Sequence, residues 1–264
     1  MRDNQIFGID VAVWQGTIDW ARAKADGVDF AVVKATQGWA ESSNAYLFTD
    51  RYFALNITEV PKTGIKCDVY HYLTAATADE AIIEAEHFMQ TIEPYRKSID
   101  LYAAVDVESW HLPTNKALLT KIVNTFCEYV KDNGYEPIVY TNPDFLRNRL
   151  DDISMWPLWL ALWRDNTNIP SGYGDMKIWQ WGASQVNGVV GDVDSNYGFF
   201  KLDDNGSVPP EPEDTPDEWA IEPQQWAVEN GISDGTFPKR NVTRQEVWTM
   251  LYRFFTKFHE KREL

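Results

Sequence analysis

LYAAVDVESWHLPTNKALLTKIVNTFCEYVKDNGYEPIVYT, residues 101–141, reads as strand, helix, strand. Residues 101–107 form a short apolar run of strand length. In 115–133, Leu118, Leu119, Ile122, Phe126 and Val130 recur along one face of a 3.6-residue period, and Gly134 marks the stop. An apolar run returns at 137–141. Two strands joined by one amphipathic helix form a β/α unit, and successive units of this kind give a parallel sheet covered by helices.

The same alternation extends towards the N-terminus. Strand-like runs lie at 5–10, 30–35 and 66–72. Helical patterns lie at 18–25 with Thr17 as N-cap, more loosely at 42–56, and at 77–92 behind a Thr77–Glu80 capping box. That makes five strands alternating with four helices. After Asn142 the helices thin out, and three strand-like pieces follow at 158–163, 177–181 and 190–195. Eight strands predict a closed barrel whose last third has lost most helices; a doubly wound open sheet is the alternative.

Residues 203–217 hold four Pro and six acidic residues and read as an extended linker. A second unit, 218–264, follows. It has a helix over 219–230 stopped by Gly231 and a turn-rich link at 231–238. A Thr243–Glu246 capping box then opens a helix with Val247, Leu251, Phe254, Phe255 and Phe258 along one stripe.

The net charge of −16 is the wrong sign for a nucleic-acid binder and disfavours adsorption to anionic membranes. The aromatic content of 14%, with 12 Trp and 12 Tyr, suits a protein that stacks sugar rings, although core filling accounts for many aromatics. Cys67 and Cys127 stand in apolar segments and read as buried thiols rather than a disulfide framework. The N-terminus shows no apolar signal core, and no segment approaches a membrane span. The expectation is a chain made in the cytoplasm, with any export by another route.

In a parallel α/β barrel, reactive groups gather at the C-terminal strand ends. Asp10 closes the first strand, Asp106 and Glu108 the fourth, and Asp194 the last. Asp106 and Glu108, two apart, share a face. Carboxylates crowded together cannot all ionise at ordinary pKa values, so one is left to hold a proton. A glycosidase needs that pairing of acid and anion. A D-x-E is also a common solvated strand end, and clustered acids can bind Mg²⁺ or Ca²⁺. Four His without HxH or HExxH spacing offer no zinc site, and no phosphate loop or GxSxG appears.

Taken in order, the motifs resemble glycoside hydrolase family 25, the Chalaropsis-type lysozymes of phage, bacteria and fungi. Gly8-Ile9-Asp10-Val11 with Trp14-Gln15 is similar to its opening D-V-S-x-x-Q. Lys34-Ala35-Thr36-Gln37-Gly38 is similar to K-A-T-E-G, and Val69-Tyr70-His71-Tyr72 to Y-H-F/Y. Asp106-Val107-Glu108 matches the D-x-E. Val139-Tyr140-Thr141 and Leu158-Trp159-Leu160-Ala161 match the next two strands, and Trp179-Gln180-Trp181 through Gly188 to Asn196 the closing W-Q-Y…G-V-x-G-x-V-D-x-N. Ala12 and Gln37 depart from the usual Ser and Glu.

The resemblance implies an irregular (β/α)5(β)3 TIM-like barrel over 1–202. It implies a lysozyme that cuts the β-1,4 bond from N-acetylmuramic acid to N-acetylglucosamine with retention, needing no cofactor or metal. Glu108 would be the general acid/base, with Asp106, Asp10 and Asp194 shaping its pKa, orienting substrate and stabilising positive charge. Gln15 and Lys34 would contact substrate, and Tyr72, Tyr140, Trp159 and Trp181 are candidates for sugar stacking or for barrel packing. A phage endolysin acting on the wall after release fits, as does a bacterial enzyme. A non-catalytic glycan-binding barrel and a hydrolase of a related polymer such as chitin are the competing functions. Trp226-Ala227, Gly231-Ile232, Asp234-Gly235, Pro238 and 242–246 resemble one S-layer homology motif. That implies a small helical module binding secondary wall polysaccharide. A unit so short buries little core alone, which adds an expectation of self-association through 218–264.

Overall fold

Side chains of alternate parity along each strand go to opposite sides of one curved wall, and that division builds the molecule. The computed structural model describes residues 5–38, 47–165, 168–200, 218–233 and 244–259. The chain separates into two compact units, Met1–Val208 and Pro209–Leu264.

The first unit is a closed barrel of eight strands. In spatial order these are β1 (Ile6–Val11), β2 (Phe30–Gln37), β4 (Lys66–Tyr72), β5 (Tyr102–Asp106), β6 (Glu136–Thr141), β7 (Leu158–Ala161), β8 (Met176–Gln185) and β9 (Asp192–Gly198). Pairing of β1 with both β2 and β9 closes the circle. The two-residue β3 (Phe48–Thr49) pairs antiparallel on the end of β2. Helices α1 (Trp20–Ala25), α2 (Phe53–Glu59), α3 (Ala78–Ile92) and α4 (Lys116–Asp132) alternate with the early strands, and the barrel is the expected TIM-like α/β fold.

One row of each strand faces the helices. Ile9, Val11, Ala31, Val33, Cys67, Val69, Ala103, Val105 and Val139 meet Trp20, Phe53, Ile57, Phe88, Ile122 and Phe126 in one continuous core. The other row fills the barrel: Phe30, Val32, Tyr102, Ala104, Ile138, Tyr140, Trp159 and Ile178. Gly8 belongs to this row, and a Cβ there would lie 2.3 Å from the Phe30 ring, so only glycine lets that ring plug the interior. Both cysteines are free and buried.

The helix limits follow local chemistry. Thr77 caps α3 by accepting from the Glu80 amide at 3.2 Å, and Asn115 caps α4 by accepting from Leu118 N at 2.9 Å. The structure corrects two helix readings. Asp19, not Thr17, caps α1, because its carboxylate reaches Arg22 N at 3.1 Å. The helical stretch expected at 42–56 is β3 followed by α2, its first part lying outside the described residues.

The last strand is corrected as well. β9 runs antiparallel to β8 and β1. Residues 186–191 between β8 and β9 suit a hairpin and are too few for a parallel crossover, which needs about a dozen residues or more. β9 therefore begins at the rim where the parallel strands end. That places Asp194, near its start, opposite Asp10 in register.

The second unit contains α5 (Glu218–Glu229) and α6 (Arg244–His259). Gly231, at φ 68°, closes α5, with Ile232 N donating back to Ala227 O at 2.8 Å. From α6, Lys257 Nζ donates to Asn230 O at 2.6 Å and Arg253 to Ile232 O at 3.4 Å, placing two cations at the C-terminal end of α5. Trp248, Leu251, Tyr252 and Phe255 are exposed. The acidic stretch at 203–217, Thr243 of the expected capping box, and Asp234-Gly235 and Pro238 of the motif that resembles S-layer homology lie outside the described residues.

Candidate active site at the barrel rim

Following the inward row of each strand to its rim end gives a ring of polar side chains: Asp10 on β1, Lys34 on β2, Tyr72 on β4, Asp106 on β5, Tyr140 on β6, Gln180 on β8 and Asp194 on β9. Glu108 continues the β5 row one step beyond the strand. The four carboxylates singled out from the sequence thus reach one rim.

Asp10 is the most constrained. Its Oδ2 accepts from Asn196 Nδ2 at 2.7 Å and Gln180 Nε2 at 3.0 Å. Both amides are oriented by indoles, which can only donate. Trp159 Nε1 donates to Asn196 Oδ1 at 2.8 Å, and Trp163 Nε1 to Gln180 Oε1 at 2.9 Å. The oxygens turn to the indoles and the NH₂ groups to Asp10. Burial foremost, then the charges of Asp194 and Glu108, raise Asp10 to about 7 against the pull of the two amides.

Asp106 is buried, and its Oδ1 has no hydrogen-bond partner. Burial first, then Glu108, push its pKa well up, and Lys34 opposes them. Glu108 is exposed at the rim. Lost solvation raises it, Asp194 adds to that, and Lys34 and the Tyr140 hydroxyl, 3.4 Å from Oε2, oppose it. Desolvation raises Asp194 too. Lys34 is lowered by burial but faces Asp106, Asp50 and Glu108, and its Nζ donates to Gln37 Oε1 at 2.7 Å. The rim is a cluster of acids biased towards protonation around one cation.

The aromatic candidates divide. Tyr72 is partly open beside Lys34, whose Nζ lies 5.0 Å from the ring centre. Tyr140 is buried and presents its hydroxyl to Glu108 and to Gln180 Oε1, the latter at 3.1 Å. Trp159 is corrected: it fills the barrel with no face open to a ligand. Trp181 is corrected too. It sits at the β8 bulge and stacks on Tyr197 at 5.9 Å, on the wall face opposite Asn196. Gln15 is occupied in its own turn, accepting from Ala12 N at 2.9 Å.

Sequence reasoning passed over Gln180 and Asn196, both buried polar residues of the inward row, which strict alternation from Ile178 and Asp194 picks out. It also passed over Trp14, Trp110 and Trp163, exposed by 85%, 80% and 60% on the segments that follow β1, β5 and β7. Asp50 holds the first of these loops, its Oδ2 accepting from Val13 N at 2.8 Å. Large exposed indoles in rim loops are the signal for a ligand-binding surface.

The sequence profile of Glycosyl hydrolases family 25 matches residues 9–189. The chain belongs to that family. Asp194 and Asn196 fall just past the matched stretch and are tied to it by β9. The autolytic lysozyme of Clostridium acetobutylicum is 31% identical over 202 residues, which cover 76% of this chain and 51% of that protein, so the chain spans about half the length of this relative. Among solved structures, a family 25 glycosyl hydrolase from Bacillus anthracis superposes with TM-score 0.64 at 25% identity, covering 79% of this chain and 96% of that one. The modular autolysin LytC of Streptococcus pneumoniae, in complex with a synthetic peptidoglycan ligand, gives TM-score 0.65 at 25% identity over 75% and 47% of the two chains.

Proposed function

We propose that the chain is a muramidase: it hydrolyses the β-1,4 bond between N-acetylmuramic acid and N-acetylglucosamine in bacterial peptidoglycan. The observation that carries this reading is the division of labour within Asp106-Val107-Glu108. Asp106 is buried with an unpartnered oxygen and faces the Lys34 charge, which favours its anion, while Glu108 reaches into solvent. A glycosidase uses one carboxylic acid to protonate the leaving oxygen and one carboxylate to meet the oxocarbenium-like carbon. Glu108 is the general acid and then, as water attacks, the base. Asp106 stands behind it as nucleophile, or as the group that orients the substrate's acetamido oxygen to attack. Asp10 and Asp194 add negative field on the far side of the mouth, and either route retains configuration. The relatives named as a lysozyme and an autolysin support peptidoglycan as the substrate.

The test is direct. Purified walls incubated with the full chain should lose turbidity and gain muramic reducing ends, read by mass spectrometry. Glucosaminyl ends would move the specificity to another bond, and no new ends would favour the glycan-binding alternative.

The second unit, in this reading, holds the enzyme on the wall through secondary polysaccharide and associates with its own copies, its exposed aromatics on α6 supplying the contact. The enzyme reaches the wall after release from the cytoplasm, as a phage endolysin does. Light scattering of the full chain against residues 1–203 checks the association: equal monomeric masses would remove it.

A further inference from the structure

The pairing of β2 with β4 slips near the rim, and the slip reverses the parity of β2. Up to that point Phe30, Val32 and Lys34 face inward, and Ala31, Val33 and Ala35 face the helices. Lys34 pairs with Tyr70, but Thr36 pairs with His71 and Gln37 with Tyr72, leaving Ala35 as the extra residue of a bulge. Ala35 and Thr36 both face outward as a result. Gln37, which unbroken alternation would send outward, turns in and accepts from Lys34 Nζ at 2.7 Å.

What holds the slip lies on the helix side. Thr36 Oγ1 and His71 Nδ1 are 2.7 Å apart, and His71 Nε2 lies 2.7 Å from Glu84 Oε2. Glu84 also accepts from Thr74 N at 3.0 Å and Thr74 Oγ1 at 2.9 Å. A His with its proton on Nε2 completes one chain, in which Thr36 donates to Nδ1 and Nε2 donates to Glu84. The ring is stacked on Phe126 at 5.0 Å. Gly38 lets the carboxylate in, since a Cβ there would lie 2.0 Å from Glu84 Oε1.

We infer that Thr36, His71 and Glu84 are positioning residues of the rim: by pinning the β2 bulge they turn Gln37 onto Lys34 and so fix the cation facing Asp106 and Glu108. The functional consequence rests on the muramidase reading. Lys34 is faced by Asp106, Glu108 and Asp50 and by the rings of Tyr70 and Tyr72. Glu108 is faced by Asp194, Asp10, Tyr140 and Lys34. Burial works against the Lys34 charge, and the Gln37 oxygen accepts one of the ammonium protons. A bulge that relaxes removes that acceptor and loosens the ammonium, so Asp106 and Glu108 keep their protons to higher pH.

Thr36→Val removes the hydroxyl and keeps the shape; Gln37→Ala removes the acceptor; Thr36→Ser restores the hydroxyl. In both of the first two, the pH profile of kcat/KM on purified walls should move upward by about half a pH unit, a fraction of what an adjacent charge commands. Thr36→Ser should overlay the wild type. A Thr36→Val profile that superposes on the wild type overturns the inference. A crystal structure of Thr36→Val gives a readout free of activity. Gln37 Oε1 out of hydrogen-bonding range of Lys34 Nζ supports the inference, and an unchanged contact overturns it. A wild type that cleaves no glycan would sink the muramidase reading and leave the crystal structure to decide the positioning claim.

Discussion

Asp106 and Glu84 are buried to nearly the same degree, 6% and 5% exposed, on opposite sides of one stretch of barrel wall. Glu84, on the helix side, accepts from the Thr74 amide and hydroxyl and meets His71, so both oxygens are engaged. Asp106, on the inner side, keeps Oδ1 without a partner and looks across at Glu108 and Asp10. A satisfied buried carboxylate ties elements together, and an unsatisfied one stores unfavourable free energy that a substrate can relieve. The same residue chemistry thus gives structure on one face and a reactive edge on the other.

The largest expected effect lies on the reactive side. Glu108→Gln should lower turnover at least ~100-fold and up to ~10⁴-fold, the scale of acid–base assistance, with no loss of melting temperature. Steady-state lysis kinetics beside a thermal melt would check it; wild-type-like lysis would remove Glu108 from the chemistry and leave both faces of the wall structural.

Asp10 sharpens the contrast through pH. Its pKa of about 7 when folded stands above the ordinary 3.8, so the folded state holds this proton more tightly than the unfolded chain does. Its contribution therefore falls as pH rises from about 4 to about 7 and is unfavourable above that window. Asp10→Asn should recover about 2–4 kcal/mol of unfolding free energy at pH 8 and almost none at pH 4, since each pKa unit corresponds to about 1.36 kcal/mol. Part of the pH dependence should survive in the variant, because Asp68 and Asp106 are raised by burial as well. Urea unfolding at the two pH values measures this, and equal pH dependence in variant and wild type would rule it out.

How far these roles were legible in the sequence follows from parity. Strict alternation runs through β1 and β5, so Asp10, Asp106 and the step to Glu108 could be placed on the inner face from sequence alone. Asp194 reached the right rim for a different reason from the one expected: it begins an antiparallel strand instead of ending a parallel one, and connection length was the overlooked clue. Gln37 could not be placed, because a bulge one residue long reverses its face without changing composition. Trp159 and Trp163 look alike as letters. One fills the barrel and the other stands in solvent, and only the end of β7 at Ala161 separates them. Helix α1 begins at the carboxylate that can reach a free amide, which a Thr two residues earlier obscured.

Glu84→Gln tests the structural side. The added NH₂ must face a Thr74 donor or the His71 ring, so one donor loses its acceptor. The expected cost is about 1–3 kcal/mol of unfolding free energy, the penalty for one unsatisfied buried donor. It should appear as a lower midpoint in denaturant unfolding at neutral pH, opposite in sign to the change in Asp10→Asn at pH 8. A variant as stable as the wild type would mean that the cluster does not tie β2, β4 and α3 together.

The smallest effect comes from the outer edge of the groove and separates stacking from positioning. Trp163 has an exposed ring and an indole N–H on Gln180 Oε1, so it can act on a sugar directly or on Asp10 through the amide. Trp163→Ala removes both, and KM should rise about five- to tenfold, equivalent to about 1 kcal/mol of aromatic contact. Trp163→Phe keeps a stacking face and loses only the N–H. If the ring is a sugar platform, the Phe variant holds KM within about twofold of the wild type while Ala does not. If Phe and Ala rise together, the N–H is what matters. Trp163 would then belong with Trp159 among the groups that orient amides on Asp10, and the reactive edge would extend one residue further from the barrel than its carboxylates.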